Sequence, residues 1–360
     1  MVETFPHLVR RPGGEGFTSV VTITDVAKRA GVGLGTVSRV LNGSPRVSEE
    51  TRSLVEGAIR DLDYHPSPLA QGLKRGRTHV IEVLVPFMTH PSAVERLRGI
   101  VPVLNSGGYT LVLRDVETPS QRDDHMRAMT RPHRADGYII ISLTPTPEEV
   151  AAFRDTDTKV VLVDAHHDDL SSVILDDVKG GSIATRHLVE LGHRDIAFIG
   201  DDMNDQFGFA SSSDRCKGYE DVLASSGIEV RPHFIRTAPH GRASGRELAT
   251  QLLKLDRPPT AIFASSDTQA LGVIEAAEAE GVRVPSELSV AGFDDIDVAQ
   301  YVGLTTIQQP LEASGRLAAE LLMNSLSGES TSVAHEYLQL DLIVRTTTAP
   351  PKARRGDGDA

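Results

Sequence analysis

Residues 22–64 read TITDVAKRAGVGLGTVSRVLNGSPRVSEETRSLVEGAIRDLDY, and the reading of the amino-terminal part turns on them. Thr22, with Asp25 three residues on, gives a box-like helix start. Ile23, Val26, Ala27 and Ala30 then share one face at helical spacing, and Gly31 supplies the stop. Val32-Gly33 makes a tight turn. The spacing predicts a second helix from about Leu34 to Asn42, with Val37, Val40 and Leu41 facing inward. Ser48 caps a third helix. Glu49 and Glu50 suit the positive end of its dipole, and Leu54, Ala58, Ile59 and Leu62 form its buried stripe. Helix, glycine turn, helix is the helix-turn-helix pattern, whose second helix enters the DNA major groove. Many small helical bundles share that pattern, so spacing alone does not decide it.

The residues decide it. Asp25-Val26-Ala27, Ala30-Gly31-Val32 and Thr36-Val37-Ser38-Arg39-Val40-Leu41-Asn42-Gly43 resemble, nearly residue for residue, the DNA-binding head of the LacI/GalR family of bacterial transcription regulators. The resemblance places base contacts at Leu34, Gly35 and Arg39. Arg39 serves either a guanine edge, worth roughly 1–3 kcal/mol of discrimination, or a phosphate. Leu34 offers apolar contact such as a thymine methyl, and Gly35 offers only backbone access. Thr22, Thr36, Ser38 and Asn42 position the duplex backbone or act as caps and turn residues.

Ser67-Pro68-Leu69-Ala70-Gln71-Gly72-Leu73-Lys74-Arg75-Gly76 follows. Ser67 suits an N-cap and Pro68 a first helical position, but Gly72 weakens so short a helix. By itself the segment reads as a linker. The resemblance makes it a hinge helix whose Leu73, followed by Lys74, wedges into the minor groove and bends the duplex. Packing of Leu73 on its own body domain is the alternative.

From His79 the pattern becomes strands alternating with helices. Strands are expected at Val80–Pro86, Tyr109–Arg114, Gly137–Ser142, Lys159–Asp164, Asp195–Gly200 and Ala261–Ser265. Helices are expected at Gly181–Leu191, Cys216–Ser226 and Gln269–Glu280. Such repetition gives parallel sheets covered on both faces, with ligands at the carboxyl ends of the strands. The blocks Ala135-Asp136-Gly137, Leu191-Gly192-His193-Arg194, Ser266-Asp267-Thr268-Gln269, Ala291-Gly292-Phe293-Asp294-Asp295 and Leu304-Thr305-Thr306-Ile307-Gln308-Gln309-Pro310 resemble the same family's body.

The fold class expected is therefore an all-α helix-turn-helix head plus an α/β body. The body comprises two doubly wound parallel-sheet subdomains of the type I periplasmic-binding-protein kind. The divisions expected are a disordered extension over 1–19, the DNA-binding domain over 20–66 and the hinge over 67–77. An effector-binding and dimerisation domain follows over 78–347, with a disordered tail over 348–360. Within the body, one subdomain takes about 78–176 and 307–336, the other about 177–306 and 337–347.

The resemblance also carries an effector site, one position at a time. Arg215 matches an arginine that forks onto ligand hydroxyls, and Asp294 an acceptor for the same groups. Asp164 is an acidic contact from the other half, and Ser266 stands where many members have Asn. An arginine–carboxylate set facing a polyol is sound chemistry, since both make charge-assisted bonds to neutral hydroxyls. A structural ion pair is the alternative for each. Two departures stand out: the run after the first strand is His90-Pro91-Ser92-Ala93-Val94 without an aromatic, and the chain has no Trp. Phe87, Phe207, Phe209 and His240 are the candidates to stack on a ligand instead. Ser211-Ser212-Ser213 reads as a flexible loop beside the cleft.

Charge supports the division. The net charge of −13 is unlike a DNA binder, yet residues 18–79 carry nine Lys/Arg against six Asp/Glu. The lone Cys216 excludes an internal disulfide framework and fits a reducing cytoplasm. No signal peptide or membrane-length apolar run is present in the sequence, which counts against a transported-solute receptor. No G-x-G-x-x-G, P-loop or G-x-S-x-G motif is present either, so no catalytic residue and no cofactor are expected. His166-His167-Asp168-Asp169 reads as a solvated loop rather than a metal site. The resemblance implies a cytoplasmic homodimeric regulator, a repressor in the first instance. It would bind pseudo-palindromic double-stranded operator DNA under allosteric control by a small molecule, a sugar or related metabolite.

Overall fold

The computed structural model describes residues 21–41, 43–64, 77–131, 134–202, 206–329 and 332–352. They fall into two compact units that divide between residues 76 and 77.

The first unit holds three helices, α1 (Ile23–Ala30), α2 (Leu34–Leu41) and α3 (Glu49–Asp61). The Asp25 carboxylate accepts from the Thr22 amide at 2.9 Å and from its hydroxyl at 2.7 Å, fixing the start of α1. Gly31 ends α1 at φ 68°, a left-handed conformation that glycine adopts without penalty. Val26, Ala27, Val37, Val40, Val55, Ala58 and Tyr64 form one small core. The stripe expected on α3 is off by one residue. Leu54 is 55% exposed, and Val55 is fully buried in its place. Val55, Ala58, Ile59 and Leu62 keep the i, i+3, i+4, i+7 spacing of a helix face; Leu54 lies on the flank.

The second unit opens with β1 (Val80–Pro86), α4 (Pro91–Ser106), β2 (Thr110–Val116), α5 (Pro119–Met129), β3 (Gly137–Ile141), α6 (Pro147–Asp155), β4 (Val160–Val163) and β5 (Ser171–Leu175). It continues with α7 (Asp177–Glu190), β6 (Ile196–Asp201), α8 (Ser211–Ser225), β7 (Ile235–Ala238), α9 (Arg242–Leu253), β8 (Ala261–Ala264), α10 (Asp267–Ala279), β9 (Ser289–Asp294), α11 (Asp297–Tyr301) and β10 (Thr305–Gln308). It closes with α12 (Leu311–Ser327), β11 (His335–Leu338) and β12 (Asp341–Ile343).

Two six-stranded sheets result, ordered β11-β5-β4-β3-β1-β2 and β12-β10-β9-β8-β6-β7. Every neighbouring pair is parallel except β10 with β12. Strands β3, β4 and β8 are apolar along their length because helices cover both faces. The chain passes between the two subdomains after β5, after β10 and after β11. Asp136 ties in the first residues of this unit: its carboxylate accepts from Thr78 and His79 amides at 2.6 and 2.9 Å.

Two expectations need correction. Ser211-Ser212-Ser213 is the first turn of α8 rather than a loop. The Ser212 hydroxyl accepts from the Asp201 amide at 2.8 Å, which seats that turn on the end of β6. Residues 348–352 are likewise built into the unit. The Ala349 amide donates to Ser289 Oγ at 3.0 Å, and Thr348 bonds His187 at 2.9 Å. The extension over 1–19 and residues 353–360 lie outside the described residues. No helix among the described residues is long and apolar enough to cross a membrane.

Candidate functional site

On α2, Val37 and Val40 are buried against α1 and α3, which turns the opposite face outward. Leu34 is 49% exposed, Gly35 and Arg39 are exposed, and Thr36 and Ser38 are half-buried. Thr22 is exposed at the start of α1, its hydroxyl held by Asp25. This outward face combines an apolar tip, a glycine and a guanidinium. Asn42, Leu73 and Lys74 lie outside the described residues.

In the second unit the carboxyl ends of the two sheets meet, in direct contact, at the cleft between the subdomains. Arg215 on α8 is buried; its Nε donates to Asp177 Oδ1 at 2.7 Å and its Nη1 to the Ser265 carbonyl at 2.6 Å. Nη1 also stands 3.9 Å from Asp294 Oδ1. Asp294 in turn accepts from the Gln309 amide at 2.6 Å. Gln309 Oε1 accepts from Arg96 Nη2 at 3.3 Å, and Arg96 Nη2 lies 3.1 Å from Asp164 Oδ2. Asp164 Oδ2 accepts from Ser142 Oγ at 2.8 Å. The result is one polar chain, Asp177–Arg215–Asp294–Gln309–Arg96–Asp164–Ser142, spanning both subdomains.

An aromatic wall flanks it. The Phe87 ring stacks on His90 at 5.1 Å and meets Phe207 edge-on at 5.7 Å. Phe207 neighbours Phe209 at 5.4 Å, and His90 reaches His240 of the other half at 4.8 Å. His240 Nδ1 bonds Asp201 Oδ1 at 3.0 Å, and Gln269 donates to the same oxygen at 2.9 Å. Ser266 caps α10, accepting from the Gln269 amide at 3.2 Å.

Backbone conformation marks the same place. Phe87, Ser142, Asp164 and Asp294, at the carboxyl ends of β1, β3, β4 and β9, have φ of 50°, 55°, 57° and 116°. Non-glycine residues there cost about 1–3 kcal/mol each, which the packed scaffold sustains.

Electrostatics follow from burial. Desolvation pushes the Asp177 carboxyl up to about 6 despite Arg215 beside it. Desolvation also raises Asp294, against the pull of Arg215. Arg215 stays charged: three carboxylates (Asp177, Asp294, Asp164) outweigh its own burial. His90 is lowered, first by burial and then by His240, whereas His240 is raised because Asp201 overcomes its desolvation.

Of the five residues expected at an effector site, Asp164, Arg215 and Asp294 join one network, Phe87 heads the aromatic wall, and Ser266 sits behind it as a cap. Sequence reasoning missed Arg96, Gln309, Asp177 and His90. A signal for Arg96 exists in the spacing. Among the described helices, Arg-x-x-Gly occurs at Arg96–Gly99, Arg215–Gly218 and Arg242–Gly245. A Cβ on Gly99 or Gly315 would strike the facing backbone where α4 crosses α12. Gly181 and Gly218 do the same for α7 and α8, Gly245 and Gly272 for α9 and α10. The carbonyls of Arg96, Arg215 and Arg242 face Gly315, Gly181 and Gly272 in turn. The repeated motif is thus a backbone-to-backbone helix crossing, and two of its three arginines point into the cleft.

Comparison with known proteins agrees with both units. The family described as "Bacterial regulatory proteins, lacI family" matches residues 22–67, and "Periplasmic binding protein-like domain" matches residues 185–348. Catabolite control protein A of Priestia megaterium is 32% identical over 91% of this chain and 99% of its own length. The HTH-type transcriptional repressor CytR of Escherichia coli is 32% identical over 92% of this chain and 97% of its own. Among solved structures, the lac repressor dimer bound to operator and the anti-inducer ONPF superposes with a TM-score of 0.78 at 26% identity. That match covers 92% of this chain and all of the other. The regulator CelR in complex with cellobiose gives 0.67 at 29% identity, covering 91% and 99%.

Proposed function

The chain belongs to the LacI family of bacterial regulatory proteins, and from that premise we propose that it is a cytoplasmic repressor whose hold on its operator is set through the Arg96–Arg215 cleft. It is a sequence-specific DNA-binding transcription regulator controlled by a small-molecule effector. Leu34, Gly35 and Arg39 read base edges, while Thr22, Thr36, Ser38 and Asn42 seat the duplex backbone. Leu73 and Lys74 act as a minor-groove wedge and its phosphate anchor. Two copies about a two-fold axis read the two halves of a pseudo-palindromic site. Phe87, Asp164, Arg215, Ser266 and Asp294 receive the effector, a sugar or related metabolite. The protein performs no catalysis.

The observation that carries this reading is the polar chain from Asp177 to Ser142. It joins the two subdomains, so a molecule inserted into it must exchange bonds with both. Differential contact of that kind shifts two arrangements relative to each other, by a coupling typically of about 1–3 kcal/mol. The test is a mobility-shift assay on duplex from upstream of the protein's own operon, at two salt concentrations, with and without metabolite pools. Sequence-preferring binding that a metabolite alters is expected. Affinity no greater than simple charge attraction, under every condition, overturns the reading.

A further inference from the structure

We propose that the first sheet, which holds β1 to β5, carries a second binding site apart from the cleft, where Arg114, Arg134 and Tyr138 take a phosphate group. Glu82 on β1 is its pivot, 3% exposed and in register with Tyr138 on β3. The two lie toward the amino ends of their strands, opposite the cleft. Leu84, Tyr138 and Ile140 identify the face, since they pack with Met126 and Met129 of α5. Arg114 on β2 gives Nη2 to Glu82 Oε1 at 2.9 Å. Arg134, just before β3, gives Nε to Glu82 Oε2 at 3.1 Å. One carboxylate thus holds two guanidiniums and leaves a positive charge over. Asp136, the other carboxylate that acts on Tyr138, is turned to the Thr78 and His79 amides.

Two buried polar atoms at this place have no hydrogen-bond partner among the described residues, Arg114 Nε and the Tyr138 hydroxyl. Burial, and then Glu82, raise the Tyr138 phenol above its usual 10.0, so it keeps its proton and donates. Buried donors of this kind are rare in folded proteins, and bound water or an ion completes them. Water would complete the bonds but not the charge. An oxyanion does both, because it only accepts and is itself charged. A phosphate has an oxygen for each guanidinium and another for the hydroxyl, one more than a carboxylate can give. The way in is open, for the Arg114 and Arg134 side chains are 35% and 24% exposed. His125 on α5 faces the same charges. Its ring is held below the usual 6.5, first by burial and then by Arg114 and Arg134, against the pull of Glu82 and Asp124.

The test uses the full chain in phosphate-free buffer and adds inorganic phosphate, with chloride at matched ionic strength as the blank. Phosphate is expected to raise Tm. It should also move the His125 titration to higher pH, because the anion offsets the two arginines; NMR reads the shift and His125→Gln assigns the resonance. Arg134→Gln, which leaves Glu82 its Arg114 partner, should weaken phosphate roughly tenfold. Tyr138→Phe should weaken it about threefold. Without phosphate, Tyr138→Phe should melt no lower than the native chain, since the hydroxyl has no bond to lose. No phosphate-specific response, or an unmoved His125, overturns the proposal. A response that both variants leave at full strength also overturns it, because the anion then sits elsewhere. Acetate binding as tightly as phosphate defeats the phosphate assignment. Tighter binding of glycerol phosphate than of inorganic phosphate assigns the site to an esterified group, and the reverse order assigns it to the free ion.

Discussion

The guanidinium of Arg215 lies over the ring of Phe293, 3.7 Å from its centroid, while its edge pairs with Asp177. One side chain thus satisfies a stacking face, a buried carboxylate and the Ser265 carbonyl together. Lysine keeps the charge but has neither fork nor plane. Arg215→Lys is therefore expected to fold with a Tm a few degrees lower and to lose the effector's influence on DNA binding. Arg215→Ala leaves Asp177 buried without its cation and should cost about 3–5 kcal/mol. Denaturant unfolding of the two variants checks the order; equal stability for native and Arg215→Ala contradicts it.

On α2, Arg39→Ala should abolish preference for operator over competitor duplex while sparing salt-sensitive non-specific binding. Competition binding at two salt concentrations reads this directly. Preference that survives the substitution removes Arg39 from the residues that read bases.

Gly35 has open space where a Cβ would lie and no left-handed backbone. Gly35→Ala should stabilise the head by about 0.5–1 kcal/mol, because alanine loses less backbone entropy in a helix. The same methyl would stand on the outward face and alter half-site preference. Hydrogen exchange of α1 to α3 measures the first effect, and operator selection the second. Faster exchange than in the native chain would count against the assignment.

Asp177 makes stability depend on pH in an unusual sense. Its folded value, about 6, lies above the ordinary 3.8, so the folded state binds the proton more tightly than the unfolded chain does. Its contribution is fully present below about 4 and fades as pH rises through 6. Asp177→Asn should remove that slope between pH 4 and 6, visible as a flatter Tm profile. A profile of unchanged steepness would show that the carboxyl titrates normally.

His193 acts in the opposite direction. Its ring bonds Thr260 and Ser289 at 2.9 and 3.0 Å and the Ala349 carbonyl at 2.9 Å. Burial lowers it from 6.5, against the pull of that carbonyl, so its contribution is present above 6.5 and lost as pH falls below. His193→Ala should cost about 2–3 kcal/mol and release residues 348–352 to proteolysis. Resistance of that segment equal to the native chain's would refute the clamp.

The helices of the head were legible because capping residues and apolar spacing agree there, as at Thr22, Asp25 and Gly31. The error at Leu54 arose because Leu54 and Val55 are adjacent apolar residues, and only packing chooses between neighbouring faces. Strands β3, β4 and β8 were readable as unbroken apolar runs, and β1 as a run broken only by Glu82. Ser171–Leu175, Ile235–Ala238 and His335–Leu338 were not marked, being short, partly polar and defined by partners far along the chain. Arg96 escaped notice because a charged residue on an amphipathic helix reads as a solvated one. Burial at Arg96 follows from the Gly99–Gly315 crossing, which joins segments more than two hundred residues apart.

The last strand of the first sheet, β11, and the helix that covers one face of that sheet, α12, both come from the chain beyond the second sheet's core. During synthesis, strands β1 to β5 and α4 emerge early, yet part of the apolar face that α4 shares with α12 stays uncovered until residues 311–327 arrive. Ala318, Ala319 and Leu322 complete the cover that Ala93, Ile100 and Leu104 begin. The first sheet is therefore completed only after the strands β6 to β10 of the second have been made. A chain ending before Leu311 would leave that part of the sheet open to solvent, so completion of the first subdomain waits on the last fifty of the 360 residues.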